Sequence, residues 1–402
     1  MKISRRQLLV NSASGLGVSA VGASVLGFPG IAAAQNEPIK IGWLAALTGP
    51  SSAPAIGFNR GVLFAVDAIN ASGGVKGRKI EIITRDTQGD PTKAVNAVQE
   101  MISQVKVSAV WGPTNSGESL AVTPLMARAK MPNLHPCVVD SLIDTTKYPT
   151  SFRIAPSNSQ WDDAVRHYCV NVLKAKKVAV LGDTTGYGVS ALNASVAAFK
   201  KEGIDVVYSA NIDSTQPDMN PDMLRAKSAG AQAIVCWTVS TGMLARLFNT
   251  RGSMGWDVPF VGHPSMSSGE IASLVDKPAN WEKVYAVGYK SCSYDSAGKL
   301  PARSQELMAR LKGKVELKDT LLWWVAAGVD AITLFTKAIE STGSTESAAI
   351  TGYLNSQKKY PGYFGTYTYS ETEHNGYQTE EVVMSIASSA KDGTFALAPG
   401  YI

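Results

Sequence analysis

The chain has 402 residues, 45% hydrophobic and 18% charged, with a formal net charge of +5. That length and apolar content provide ample core for two domains and exclude a disordered or fibrous chain. Without Lys2, Arg5 and Arg6 the balance falls to 35 basic against 33 acidic residues, about +2, and no basic cluster remains for nucleic acid or a membrane surface.

Those three basic residues open a segment, 1–34, that reads as a secretory signal peptide. A small, apolar stretch from Leu16 to Ile31 follows them, and Ala32-Ala33-Ala34 offers a small-residue cleavage site before Gln35. Ser4-Arg5-Arg6-Gln7-Leu8-Leu9 resembles the twin-arginine export signal, which implies a periplasmic destination. The segment holds no lipobox cysteine, so no lipid anchor is expected. Cys137, Cys169, Cys236 and Cys292 show no CxxC spacing, so a zinc site is not expected. Buried free thiols are the favoured reading, with a Cys169–Cys236 bridge left open.

Further along, Ile39 to Leu44 reads as a first strand and Gly57 to Asn70 as a helix with Val62, Ala65, Val66 and Ile69 on one face. Lys79 to Arg85 is a second strand. Asp90-Pro91 then starts a helix, the Asp as N-cap and the Pro at the first helical position. The apolar run Val107 to Trp111 is a strand, followed by the polar turn Gly112-Pro113-Thr114-Asn115-Ser116-Gly117 and a helix from Glu118 to Ala129. A turn of that kind presents free N–H groups and hydroxyls to an anion, or else Ser116 simply caps the helix. A strand near Pro132 to His135 leads to the loop Pro136 to Ser141. After Phe152 to Pro156 the alternation restarts. Strands are expected at 177–181, 206–210, 233–237, 259–261 and 284–288, with helices at 160–173, up to Lys201, at 221–228 and at 243–250. Regular strand–helix alternation implies parallel sheets covered on both faces, here in two α/β lobes. The apolar helix from Thr320 to Ile339 reads as a core helix, because Asp330 and Lys337 argue against a membrane span. Alternation at Gly362 to Tyr369 and Glu381 to Ile386 suggests a terminal β-hairpin.

By its motifs the chain resembles the type I periplasmic solute-binding proteins of the leucine/isoleucine/valine-binding kind, the capture subunits of ABC importers. The resemblance is carried by Ile39-Lys40-Ile41-Gly42 with Thr48-Gly49-Pro50, by the run Ala68-Ile69-Asn70-Ala71-Ser72-Gly73-Gly74-Val75-Lys76-Gly77-Arg78, and by Asp86 with Asp90-Pro91. Gly112-Pro113-Thr114-Asn115-Ser116 and Gly182-Asp183 with Tyr187-Gly188 complete it. It implies two Rossmann-like lobes joined by a three-crossing hinge, near Phe152–Pro156, Tyr285–Tyr289 and Gln357–Gly362. Residues 36–154 with 288–357 would form one lobe, and 155–287 with 358–402 the other. A monomer that captures a small molecule between closing lobes and delivers it to membrane permease subunits is expected. No cofactor or metal is expected.

Carried over residue by residue, the resemblance places the ligand carboxylate at Ser116, beside Thr114 and Asn115. It gives the second loop to Cys137 and Val139, where the amino-acid binders have Thr at the latter position, and the second lobe's tyrosine to Tyr187. An aromatic position would fall near Ser240. The acid that holds an α-amino group should lie within Gly262-His263-Pro264-Ser265-Met266, which has none. Unless Glu270 or Asp183 reaches in, a buried ammonium would lack its partner, at a cost of several kcal/mol. The expected ligand is therefore a hydrophobic carboxylate, aromatic first and branched aliphatic or 2-oxo acids second, with Val139, Met266 and Trp237 lining the pocket and His263 meeting a ring hydroxyl. Branched-chain amino acids, amides and a periplasmic sensor role are the alternatives. An enzyme is not expected: the chain has no G-x-S-x-G elbow, HExxH or P-loop, and its histidines are scattered.

Overall fold

The computed structural model describes residues 37–401. The expected signal peptide and its cleavage site lie outside the described residues. The first sheet contains β1 (Ile39–Ala45), β2 (Ile80–Asp86), β3 (Ala109–Trp111), β4 (Asn133–His135) and β5 (Ser151–Arg153) in the order β2-β1-β3-β4-β5, every pair parallel. The helices between them are α1 (Ser52–Ala71), α2 (Pro91–Glu100) and α3 (Ser116–Arg128). The Asp90 carboxylate accepts from Thr92 and Lys93 N–H, so the predicted cap starts α2.

The second sheet begins after α4 (Asn158–His167). It is built from β6 (Lys177–Asp183), β7 (Asp205–Ile212), β8 (Ala233–Trp237), β9 (Phe260–Gly262) and β10 (Val284–Tyr289), connected through α5 (Gly186–Lys201), α6 (Asn220–Ser228), α7 (Thr241–Ser253) and the short α8 (Ile271–Leu274). A strand from the tail completes it, antiparallel to β10. The four cysteines lie within the described residues, all buried and unbridged.

Beyond the short β11 (Ser293–Tyr294) and α9 (Ala302–Leu311), the chain enters α10 (Leu322–Thr342) and then α11 (Ser347–Asn355). Helix α10 is long and apolar enough to cross a membrane, but nearly all of it is buried inside the protein. It lies against α1, and glycines set the separation. A Cβ on Gly61 would fall 2.0 Å from the Val325 carbonyl oxygen, and one on Gly328 would fall 2.4 Å from that of Phe58. Any larger residue at either position would push apart the two helices that carry Phe58, Trp323 and Trp324.

The tail differs from expectation. β12 (Tyr360–Pro361) and β13 (Thr366–Tyr367) form a very short hairpin of their own, whereas β14 (Val382–Ile386) is the strand that joins β10. Between them, buried Asp330 of α10 accepts from Tyr363 N–H (2.7 Å), Phe364 N–H (2.8 Å) and the Tyr367 hydroxyl (2.8 Å). Arg153 N–H donates to the His374 carbonyl, and Gly376 N–H to the Arg153 carbonyl. Residues 360–376 thus stay on the first lobe's elements, and the chain reaches the second sheet after Tyr377 rather than near 357–362. β15 (Phe395–Ala396) pairs with β11.

Helix α3 carries a buried acid, Glu118. Burial, against hydrogen bonding from Thr87 and with Asp90 and Asp86 nearby, pushes its carboxyl up to about 7.

Asp330→Ala removes the acceptor for two buried N–H groups and a phenol, and should lower stability by about 3 kcal/mol in chemical denaturation. Glu118, ordinarily near 4.5, is held protonated by the fold. Its cost is absent below that value, grows as pH rises, and reaches roughly 3 kcal/mol above pH 7. Glu118→Gln should therefore raise the melting temperature at pH 8, with the gain shrinking towards pH 5; an equal gain at both would rule out the titration.

Candidate functional site

Parallel strands in both sheets end on edges from which the next helices begin, and the site forms where those edges face each other. A cleft with about 420 Å³ of atom-free space, part of it open to solvent, lies there. Its walls come from the first turns of helices: Pro54 of α1, Ser116 of α3, Trp161 of α4, Tyr187 of α5, and Trp323 and Trp324 of α10. Helix N-termini present unpaired N–H groups and the positive end of the helix dipole, so the cleft favours an anion without any charged side chain. Among the described residues lining it there is no Asp, Glu, Lys or Arg.

Local hydrogen bonds fix each wall. Asn115 caps α3, its Oδ1 accepting from Gly117 N–H at 2.8 Å. Ser116, which could have been the cap, is instead the first helical residue, buried and lining the cleft. Next to it the Cys137 thiol donates to the Pro113 carbonyl and accepts from Ser119 Oγ, each at 3.1 Å. Burial pushes that thiol up to about 12, so it stays an uncharged, inert part of the wall. Loop 137–139 is held from behind by buried Arg153, whose Nη1 donates to the Val138 and Val139 carbonyls.

In the second lobe, Ser157 and Gln160 form a capping box. Ser157 Oγ accepts from Gln160 N–H, and Gln160 Oε1 accepts from Ser157 N–H. This starts α4 and sets Trp161 at the cleft. Thr185 caps α5 by accepting from Gly188 N–H, which places Tyr187 opposite. The rings of Trp161 and Tyr187 meet His263 edge-on at 5.2 and 5.3 Å. His263 Nδ1 accepts from Ser265 N–H, so its proton sits on Nε2, and burial holds its pKa down to about 3. It is a neutral imidazole with one N–H. Among the described residues, the Tyr187 hydroxyl and the indole N–H groups of Trp323 and Trp324 have no hydrogen-bond partner. Burial raises the Tyr187 phenol further above its ordinary value, so it remains a donor.

Thr114, Asn115, Ser116, Cys137, Tyr187 and His263 thus come together around one cleft. Val139, Trp237, Ser240 and Met266 do not line it. Val138 faces the cleft in place of Val139, and Val239 in place of Ser240, which caps α7 by accepting from Met243 N–H. Trp237 is packed into the core as part of β8, and Met266 lies in a separate apolar cluster of the second lobe. Asp183 is occupied by its own loop and by the loop after β8: Thr185 N–H donates to Oδ1 at 3.0 Å, and Thr238 Oγ1 donates to Oδ2 at 2.7 Å. Glu270 accepts from Thr241 Oγ1 and does not line the cleft.

Sequence reasoning missed Phe58 and Trp161, and it read the helix that carries Trp323 and Trp324 only as a core helix, whereas both tryptophans reach the cleft. The Ser157–Gln160 spacing was the available signal for Trp161. For the tryptophans, adjacent positions at a helix start each touch a cavity that the helix end-on faces.

Residues 38–393 match the family described as periplasmic binding protein. A relative from Brucella melitensis, named a Leu/Ile/Val-binding protein homolog, is 28% identical over 346 residues, covering 85% of this chain and 90% of that protein. Among solved structures, a type 1 periplasmic binding protein from Bordetella pertussis superposes with a TM-score of 0.77 at 25% identity, over 90% of this chain and 100% of that one. A solute-binding protein of an ABC transporter from R. palustris, in complex with 4-hydroxybenzoate, gives 0.73 at 22% identity, over 90% of this chain and 95% of that one. The family match across both lobes, with a cleft between their facing helix ends, establishes that this chain belongs to the periplasmic binding proteins of type I fold.

Proposed function

We propose that this protein is the solute-capturing subunit of an ABC importer and that its ligand is a small hydrophobic carboxylate without an amino group, aromatic acids first. The observation that carries this is the cleft lining, in which helix N-termini, hydroxyls and indole N–H groups supply donors while no acidic side chain lines the wall. A carboxylate at Ser116 would accept from the Ser116 hydroxyl and the N–H groups of the α3 first turn. The ring body would lie among Phe58, Trp161, Trp323 and Trp324, and an oxygen at its far end would meet His263 Nε2–H. An ammonium in the same place would have neither Asp183 nor Glu270 available, since both are bound elsewhere.

Its family implies a periplasmic location; we take the twin-arginine segment, cleaved near Ala34, as the export route, and the working form as a monomer that binds without catalysing. The names of the curated relatives favour a second reading, branched-chain amino acids.

A thermal-shift series separates the two. Benzoate, 4-hydroxybenzoate or cinnamate at a hundredfold excess over its Kd should stabilise the mature protein by about 2.7 kcal/mol. A shift with leucine or an amide, and none with an aromatic acid, would reverse the ligand assignment. Ser116→Ala should weaken binding of the best carboxylate roughly thirtyfold, about 2 kcal/mol for a charged hydrogen bond. The ligand-free melting temperature should not change, because Asn115, not Ser116, caps the helix. Unchanged affinity would remove Ser116 from the site.

A further inference from the structure

The ends of α3 and α5 meet backbone to backbone across the cleft, at Gly117 and Gly186. A Cβ added to Gly186 would lie 3.0 Å from the Gly117 Cα and 3.4 Å from its N. Carbon atoms at rest stay about 3.5–4.0 Å apart, and the atoms opposed here are main chain, which cannot swing aside. The reverse substitution is milder: a Cβ on Gly117 would lie 3.7 Å from Gly186 N and 3.8 Å from its Cα, with Asn115 Oδ1 nearer at 3.2 Å.

Neither glycine adopts the left-handed backbone conformation that would demand it. Within a helix, glycine is less favourable than alanine by up to about 1 kcal/mol. Each helix taken alone would therefore prefer alanine, and the missing side chain at 186 is used only by the approach of the other lobe. The two glycines adjoin the residues that face each other over the site, Ser116 and Tyr187. Both helix ends also carry partial positive charge, so bringing them into contact is unfavourable unless an anion sits between them.

We propose that Gly186 is the closure stop of the cleft: its lack of a side chain lets α5 seat on Gly117 and brings Tyr187 over a carboxylate held at Ser116. This rests on the carboxylate reading given above for the ligand but concerns a different quantity, the distance to which the lobes close. Gly186→Ala halts closure early and weakens ligand binding without harming the fold. Gly117→Ala, which adds a methyl group at ordinary contact distance from Gly186, has a much smaller effect.

The test compares the mature parent, Gly186→Ala and Gly117→Ala by calorimetric titration with 4-hydroxybenzoate and cinnamate, by small-angle scattering with and without ligand, and by ligand-free melting. Gly186→Ala should bind about tenfold more weakly, keep a larger radius of gyration at ligand saturation, and melt no lower than the parent. Gly117→Ala should stay within about threefold of the parent. Equal affinity and equal contraction in Gly186→Ala and parent overturn the proposal, as does an equal loss in both variants or a lower ligand-free melting temperature. If neither probe binds the parent, the ligand reading fails by itself. The stop is then judged with leucine or whichever other acid contracts the parent in scattering: Gly186→Ala should keep the larger radius at saturation, and equal contraction rejects it.

Discussion

The parallel run of the strands is the constraint from which the rest follows. A parallel strand must be followed by a crossover, and in both sheets most of these crossovers are helices whose N-termini open at the strand's carboxyl end. The two sheets face each other along these edges, so the first turns of α1, α3, α4 and α5 converge on one cleft, where the start of α10 joins them. The electrostatic character of the site is thus a property of topology before it is a property of any side chain. Side chains then refine it, with Asn115 and Thr185 satisfying their own helix ends and leaving Ser116 and Tyr187 free to turn inward.

Two lobes joined by crossing segments are held in register where a rigid anchor sits beside those segments. Arg153, almost fully buried at the end of β5, supplies the anchor. Its guanidinium donates to the Val138 and Val139 carbonyls, to Asp140 and to Asn375, while its own carbonyl accepts from Gly376 N–H and the Tyr369 hydroxyl. A buried guanidinium is tolerated only with such complete pairing. Its effect is to tie the loop behind the cleft wall to the last crossing segment. Asp330 does the same from α10, which is why the tail stays with the first lobe longer than its sequence suggests.

Much of the fold was legible because alternation of apolar strands and amphipathic helices is a strong periodic signal, and because caps such as Asp90 before Pro91 mark helix starts. The site was legible where loops were short and motif-bearing, around Ser116 and Tyr187. It was not where the answer depended on which face of an apolar element looks into a cavity. Trp237 and Met266 are apolar residues near the right strand ends, yet they pack into cores, while Trp161 in an ordinary amphipathic pattern reaches the cleft. Periodicity says which residues are buried; it does not distinguish burial against protein from burial against a ligand. Val138 in place of Val139, and Val239 in place of Ser240, are one-residue offsets of the same origin, because in extended chain a single step reverses the side-chain direction.

The cleft's chemistry is selective by what it omits. A site for an amino acid must satisfy two opposite charges a few ångströms apart, so it needs donors at one end and an acid at the other. Here the donors extend across the cleft: hydroxyl and main-chain N–H at α3, phenol at Tyr187, an imidazole N–H fixed on Nε2 by the Ser265 hydrogen bond, and indole N–H groups at Trp323 and Trp324. Each unsatisfied buried donor costs about 1–3 kcal/mol until an acceptor arrives. A ligand rich in oxygen acceptors removes those costs, and one that brings a cation adds another unpaired charge. On the carboxylate reading we propose, the same wall that attracts the ligand discriminates against an amine without a repulsive side chain.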